Sequence, residues 1–303
     1  MGNVAASVRQ RLLNLSRAQG RPFQEVLQFY VMERFLYRLS RSAQADRFVL
    51  KGALMLQTWA APQSRPTMDI DMLGRVGNDR EGLLQRFRGV LEAESPDDGL
   101  IFDTDSLRAE AITEDAEYQG VRVRSRAELD GARVWLQIDI GFGDRVVPAP
   151  VRMSYPVLLD QPAPELLCYS RESTIAEKFQ AMVALGSLNS RMKDFFDIWL
   201  LARQFEFDLP TLAEAISATF DQRNTPLPER PIFTARFATE KQTQWQAFLR
   251  RLGGGVPAEP EFATVLAVLE DFLGDAVGWP DNAEVDLRWS DGGPWQKGEQ
   301  QNE

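Results

Sequence analysis

Residues 65–73 read RPTMDIDML, a short apolar run that carries two aspartates two positions apart. Because side chains alternate between the two faces of a β-strand, Asp69 and Asp71 project from one face, whereas Ile70 and Met72 pack on the other. Two carboxylates held side by side disfavour each other's ionised form unless a cation lies between them. Proteins usually hold Mg²⁺ with one or two carboxylates, completed by substrate phosphates and water. The run therefore predicts a strand that presents a cation site.

A second acidic strand pattern follows further along the chain. Residues 134–142 read VWLQIDIGF, in which apolar residues occupy alternate positions and Asp139 interrupts the opposite face. We expect Asp139 to join Asp69 and Asp71 in holding two Mg²⁺ ions and to accept the proton of an attacking hydroxyl. The alternative is a solvated edge strand, whose acids discourage pairing with another sheet.

A glycine turn precedes the two acids. Residues 48–53 read FVLKGA, a strand that ends in a tight turn, and a short helical stretch follows. Gly52 allows the backbone to approach a phosphate closely. A strand, a small-residue turn, a helix, a strand with two acids and a later strand with one acid together resemble the nucleotidyltransferase fold. This resemblance implies an α+β protein with a mixed sheet core and flanking helices, followed by a C-terminal helical part.

Five stretches of the chain are similar to the AbiEii/AbiGii toxin family. They are YVMERFLYRL at 30–39, FVLKGA at 48–53, RPTMDIDM at 65–72, STIAEKFQAMVAL at 173–185 and RMKDFFDIWLL at 191–201. Five blocks in one order are far more specific than a pair of acids alone. The resemblance implies a nucleotidyltransferase-fold toxin of a toxin–antitoxin system, paired with a cognate antitoxin protein and acting in phage defence.

The resemblance also assigns residues to nucleotide binding. In the family the turn commonly carries Gly-Gly or Gly-Ser, whereas this chain has Gly52-Ala53 and therefore no hydroxyl at position 53. The backbone amides of Gly52 and Ala53 are then expected to bind a phosphate, helped by Lys51 or Thr67.

Two helical motifs carry the remaining catalytic candidates that the resemblance implies. Lys178 is expected to contact the nucleotide triphosphate, and an acid on the following helix is expected to orient the site. Asp197 is preferred to Asp194 for this role because it lies in the more apolar stretch. The alternative is a solvated helix surface on which Lys193 and Asp197, four positions apart, form a pair.

The implied activity is Mg²⁺-dependent transfer of a nucleotide from an NTP to an acceptor, with a tRNA 3′ end as the leading acceptor. Another RNA, a protein hydroxyl or a small molecule is the alternative acceptor. The sequence also allows a second interpretation, in which the protein has the fold but no catalytic activity and acts by binding its antitoxin or a nucleic acid. Sequence leaves open which NTP is used, how the antitoxin acts and the oligomeric state.

The composition excludes several classes of chemistry. The 303 residues include no histidine, which excludes Ser-His-Asp and Cys-His catalysis and histidine-ligated zinc. Cys168 is the only cysteine, so no disulfide forms within the chain. The sequence has no apolar run of the roughly 18 residues typical of a membrane span, and its start lacks a secretory signal pattern. We therefore expect a cytoplasmic protein that makes no membrane contact.

The charge pattern allows two interpretations of the N-terminal region. The net charge of −10 disfavours a nucleic-acid partner, but residues 1–51 carry nine basic residues against three acids. One interpretation is a basic surface, and the other is the solvated face of amphipathic helices.

We predict two domains and a tail. A nucleotidyltransferase-fold domain with N-terminal helices is expected over 1–160, a helical domain over 161–280 and a disordered tail over 281–303. In the helical domain, Thr174 and Glu177 have capping-box spacing, which predicts a helix that starts at Thr174.

Overall fold

A mixed β-sheet contains both acidic stretches. The computed structural model describes residues 3–59, 67–114, 118–252, 259–279, 287–290 and 292–298. The described chain forms two compact units. The first contains the described residues up to 143 together with residues 151–169, and the second contains residues 144–150 and the described residues from 170 onward.

Seven strands form the sheet of the first unit. They are β1 (Phe48–Lys51), β2 (Ile70–Gly74), β3 (Leu100–Glu114), β4 (Tyr118–Leu129), β5 (Ala132–Phe142), β6 (Val151–Ser154) and β7 (Glu165–Cys168). Their order across the sheet is β3-β4-β5-β2-β1-β7-β6. β2 runs parallel to β5 and β1 runs parallel to β7, whereas the other neighbours are antiparallel. This mixed sheet confirms the predicted fold class.

Helices cover one face of this sheet. The first unit contains α1 (Val4–Gln19), α2 (Phe23–Arg41), the single turn α3 (Met55–Thr58) and α4 (Arg80–Leu91). α1 and α4 begin at side-chain caps, in which Asn3 accepts from the Ala6 amide and Asp79 accepts from the Gly82 amide. The apolar positions of β5 that share a core with these helices are Val134, Leu136, Ile138 and Ile140. The predicted alternation of β5 is therefore confirmed, and its odd-numbered positions lie on the face away from this core.

Two of the N-terminal arginines are internal. Arg34 is fully buried and pairs with Glu33, with 2.9 Å between Nε and Oε1. Arg38 is buried as well and pairs with Asp98, with 2.6 Å between Nη1 and Oδ2. Because both guanidinium groups are enclosed and neutralised, neither contributes to a basic surface for nucleic acid.

Glu33 holds a loop of the first unit against α2. The Leu158 amide donates to Glu33 Oε2 at 2.7 Å, and Arg34 Nη2 donates to the Pro162 carbonyl at 2.8 Å. Burial raises the pKa of Glu33 to about 7, although the neighbouring Arg34 opposes this shift. Glu33 therefore resists ionisation in the folded protein more than it does in the unfolded chain.

This raised pKa predicts a pH-dependent loss of stability. Below about pH 4.5 Glu33 is protonated in both states, and between about pH 4.5 and about pH 7 the unfolded chain ionises first. The free energy of unfolding is expected to fall over this window by about 3 kcal/mol. Urea unfolding at pH 4.5 and pH 8 measures the difference, which is expected to shrink in Glu33→Gln. Glu94→Gln, at an exposed position, is the control, and an equal pH difference in both variants would contradict the prediction.

Helices dominate the second unit. Its helices are α5 (Arg171–Leu185), α6 (Met192–Gln204), α7 (Leu209–Gln222), α8 (Ala235–Leu252) and α9 (Phe262–Val277), and its strands are β8 (Phe207–Asp208), β9 (Leu287–Trp289) and β10 (Trp295–Lys297). Aromatic side chains fill its core. The ring of Phe262 lies 5.2 Å from that of Phe195 and 5.2 Å from that of Trp245, measured between centroids. The helical character predicted for the C-terminal part is therefore confirmed.

The observed division of the chain differs from the predicted one at two places. β7 belongs to the first unit because Cys168 pairs with Leu50 on β1, so this unit extends beyond the predicted boundary at residue 160. The described part of the predicted tail contains β9 and β10 instead of a disordered segment. Trp289 is buried there, donates from its indole to the Ala202 carbonyl at 2.6 Å and packs 4.9 Å from the ring of Phe272.

The first unit also contains a long hairpin, formed by β3 and β4. β3 and β4 pair from Leu100 with Leu129 to Glu114 with Tyr118. Among the described residues, no helix is both long and apolar enough to cross a membrane.

Candidate active site

Asp71 and Asp139 lie side by side on neighbouring parallel strands. Asp71 on β2 is the direct partner of Asp139 on β5, and Lys51 on β1 is the direct partner of Asp71 on its other side. Direct partners share a face of the sheet, with Cβ atoms about 5 Å apart. Three predicted site residues therefore meet on the face opposite the helices. Asp69 lies half-buried in the bend that precedes β2.

Gly52 allows Asp71 to reach its position. Gly52 has a φ of 74°, a backbone conformation that residues with a Cβ rarely adopt. A Cβ at this position would lie 2.6 Å from both Cβ and Cγ of Asp71, and closer still to Oδ2. The space above this glycine is therefore filled by the Asp71 side chain. This geometry concerns only the Cβ side of Gly52, and phosphate binding by the backbone amides of Gly52 and Ala53 stays a prediction.

Gly52→Ala is expected to destabilise the protein by about 3 kcal/mol or more, because it adds a clash with Asp71 to the backbone strain. Gly131→Ala is the matched control, since Gly131 has a φ of 79° and nothing within 4 Å of an added Cβ. The control is expected to lose only the strain contribution of about 1–2 kcal/mol. Denaturant unfolding of the two variants measures the difference, and equal losses would show that the contact with Asp71 carries no energy.

Arg122 engages both carboxylate oxygens of Asp139. Its Nε donates to Oδ1 at 2.7 Å and its Nη2 donates to Oδ2 at 2.8 Å, a bidentate geometry across the strand pair β4–β5. The Asp139 side chain is only 9% exposed. The hydrogen bond from Arg122 to Asp139 raises the pKa of the guanidinium above its usual range, and the charge of Asp69 adds to this effect.

The contact between Arg122 and Asp139 involves one of the three acids of the predicted metal site. Within the ranges that the structure describes, no group of three or more acids or cysteines is spaced to hold a metal ion. Asp139 is bonded to Arg122 through both oxygens, so a metal ion on this carboxylate would lie beside a positive charge, and the three-acid, two-ion site stays a prediction. Asp69 and Asp71 are two carboxylates two positions apart, a donor set that suits one Mg²⁺ completed by phosphates and water.

Lys51 and Ala53 flank Gly52 in the chain, and Thr67 precedes Asp69 by two positions. Lys51 is buried, with its ammonium 5.6 Å from the ring centroid of Tyr169. Ala53 is buried in the 3₁₀ turn Gly52–Leu54, and the hydroxyl of half-buried Thr67 lies 3.5 Å from the Asp69 carbonyl.

The second unit contains a cluster of buried charges. Lys178 Nζ lies 2.8 Å from Asp194 Oδ1 and 2.8 Å from Asp197 Oδ2. Arg191 Nε lies 2.9 Å from the other oxygen of Asp194. The side chains of Asp194 and Asp197 are 3% and 1% exposed, so Asp194 is nearly as enclosed as the preferred Asp197. The alternative pairing with Lys193 is wrong, because Lys193 is exposed whereas Asp197 is buried against Lys178.

Sequence reasoning did not identify Arg122 or Arg191 as members of these clusters. Arg122 lies in the alternating stretch VRVRSR at 121–126, which predicts the face that it occupies. The stretch does not predict that Asp139 is its partner. Arg191 precedes Asp194 by three positions, a spacing typical of helical ion pairs that was a usable signal.

Comparison with known proteins gives one family and two solved structures. Residues 34–268 match the family described as nucleotidyl transferase AbiEii toxin, type IV toxin–antitoxin system. A candidate nucleotidyltransferase from Helicobacter pylori is 17% identical, with a TM-score of 0.45 over 84% of this chain and 96% of that chain. JHP933 from Helicobacter pylori is 15% identical, with a TM-score of 0.44 over 84% of this chain and 93% of that chain. No curated protein matches significantly.

Proposed function

Because the chain belongs to the AbiEii family of nucleotidyl transferase toxins of type IV toxin–antitoxin systems, we propose that it transfers a nucleotide from an NTP to an acceptor hydroxyl. The observation that supports this most is the register pair of Asp71 and Asp139, flanked by Lys51 and Arg122 on the face of the sheet away from the helices of the first unit. Two acids held side by side repel each other, and such pairs are concentrated at functional sites.

In the proposed reaction the acceptor oxygen attacks the α-phosphorus of the NTP. The bond between the α-phosphorus and the oxygen bridging to the β-phosphate breaks, pyrophosphate leaves and the hydroxyl proton passes to water. Asp139 was the acceptor expected from the sequence, but both of its oxygens already accept hydrogen bonds from Arg122, and we therefore assign the proton to water.

We assign the cation to Asp69 and Asp71. When bound, Mg²⁺ would neutralise part of the triphosphate charge and promote ionisation of the acceptor hydroxyl. Lys51, Thr67 and the backbone amides of Gly52 and Ala53 are the proposed phosphate contacts. The proposed roles of Lys178 as a nucleotide contact and Asp197 as its orienting group rest on the family, and the salt bridge between them supports the orienting role.

We propose a tRNA 3′ end as the acceptor, with another RNA, a protein hydroxyl or a small molecule as the alternative. A tRNA 3′ end offers a free hydroxyl on a single strand that a compact protein can approach without opening a duplex. The type IV family also supports a cognate antitoxin protein as the partner, and a toxin that acts on tRNA would work in the cytoplasm.

The test is a label-transfer assay with the full chain. The purified protein is incubated with Mg²⁺ and each of the four α-labelled NTPs, together with total cellular RNA or total cellular protein. Labelled RNA of tRNA size is expected with at least one NTP, and EDTA is expected to abolish it. Label in protein would redirect the acceptor assignment, and no transfer with any NTP or acceptor would contradict the proposed function.

A further inference from the structure

A row of charged side chains crosses the sheet of the first unit. It runs through Lys51, Asp71, Asp139, Arg122 and Glu110, each the direct partner of the next. Direct partners share a face and lie close enough to interact. The two central acids repel each other, and a cationic residue lies beside the pair at each end. The protein therefore compensates the charge of these two acids with its own side chains.

Arg122 and Asp139 form a bidentate contact within this row. Its two hydrogen bonds of 2.7 and 2.8 Å form a parallel, charge-assisted pair. A guanidinium does not lose its proton in proteins, so the pair persists across the physiological pH range. Each carboxylate oxygen has two lone pairs, so a metal ion could still take one that remains on Asp139. It would then lie beside the positive charge of Arg122.

We propose that Arg122 supplies the positive charge that a second metal ion supplies in a three-carboxylate site. The chain then binds one divalent cation, on Asp69 and Asp71, while Arg122 acts as a positioning residue that fixes the carboxylate of Asp139. This inference rests on the proposed function, because it concerns the cation of the same site. It also accounts for the fact that the described acids form no three-ligand group.

Manganese binding tests the inference without reference to activity. The electron paramagnetic resonance signal of free Mn²⁺ is titrated against the full chain to obtain the stoichiometry and the dissociation constant. One Mn²⁺ per chain is expected. Asp69→Asn is expected to weaken binding at least tenfold, whereas Asp139→Asn is expected to change the dissociation constant less than threefold.

Variants of Arg122 distinguish the effect of its positive charge on Mn²⁺ binding from the effect of changing its side chain. Arg122→Gln releases the Asp139 carboxylate and is expected to tighten Mn²⁺ binding about tenfold or to add a second ion. Arg122→Lys keeps the charge and is expected to bind one ion with nearly unchanged affinity. Arg124→Gln is the matched control, because Arg124 lies two positions along the same strand and bonds to Gln137 and Glu110 instead. It is expected to leave Mn²⁺ binding unchanged.

Three results would overturn the inference. They are two Mn²⁺ ions in the wild-type protein, an equal loss of affinity in Asp69→Asn and Asp139→Asn, and unchanged binding in an Arg122→Gln variant whose melting curve shows that it folds. If Arg122→Gln does not fold, Asp139→Asn and Arg122→Lys decide the question. Label transfer measured in parallel separates the two proposals. Two ions with active transfer contradict this inference alone, whereas one ion without transfer contradicts only the proposed function.

Discussion

Replacing Asp71 with asparagine is expected to reduce nucleotide transfer about a thousandfold, equivalent to about 4 kcal/mol of transition-state stabilisation. The substitution keeps the size of the side chain and its fit against Gly52, but it removes a negative charge from the proposed cation site. Removing a single group that stabilises transition-state charge commonly costs between a hundredfold and a thousandfold. The initial rate of label transfer at saturating NTP measures the effect.

The fold of this variant is expected to be intact. The introduced asparagine faces Asp139 without like-charge repulsion, so the melting temperature is expected to stay within about 5 °C of the wild-type value. Asp105→Asn is the matched control, because Asp105 is an exposed aspartate on β3 of the same sheet. It is expected to leave the rate unchanged. An Asp71→Asn variant with wild-type transfer would favour a protein that acts by binding its antitoxin or a nucleic acid.

Replacing Lys178 with methionine is expected to destabilise the protein by about 3–5 kcal/mol. The substitution keeps a long side chain but leaves Asp194 and Asp197 buried without the ammonium that lies 2.8 Å from each. An enclosed charge that loses its partner cannot regain its hydration, which is why removing one member of a buried ion pair is costly. The free energy of unfolding from urea titration measures the loss.

A control and a second variant identify the cause of this loss. Lys193→Met removes an exposed lysine from the same helical region and is expected to change stability by less than about 0.5 kcal/mol. Adding Asp197→Asn to Lys178→Met removes the negative charge of one of the two acids that lost the ammonium. This double variant is expected to recover part of the stability. If Lys178→Met is no more destabilising than Lys193→Met, the cluster does not stabilise the second unit.

A large part of the fold and of the site follows from local patterns in the sequence. Alternation placed Val134, Leu136 and Ile138 in the core and Asp139 on the opposite face, and the structure agrees. The predicted start of helix α5 is wrong. α5 begins after Ser170, whose hydroxyl accepts from the Ser173 amide, and not at Thr174, which is buried inside the helix. Both positions carry a residue type that caps helices, so spacing alone did not distinguish them.

The sequence by itself determined which faces the side chains occupy, because the periods of strands and helices depend only on neighbouring residues. It predicted that Asp71 and Asp139 lie on two strands and that a glycine turn precedes them, whereas Asp69 lies in the bend before β2. Only the tertiary structure decided the partners. Strand register, set by contacts between distant segments, placed Asp71 beside Asp139 and Arg122 against the same carboxylate. Packing of distant helices likewise enclosed Lys178 with its two acids, and no local period specifies such a contact.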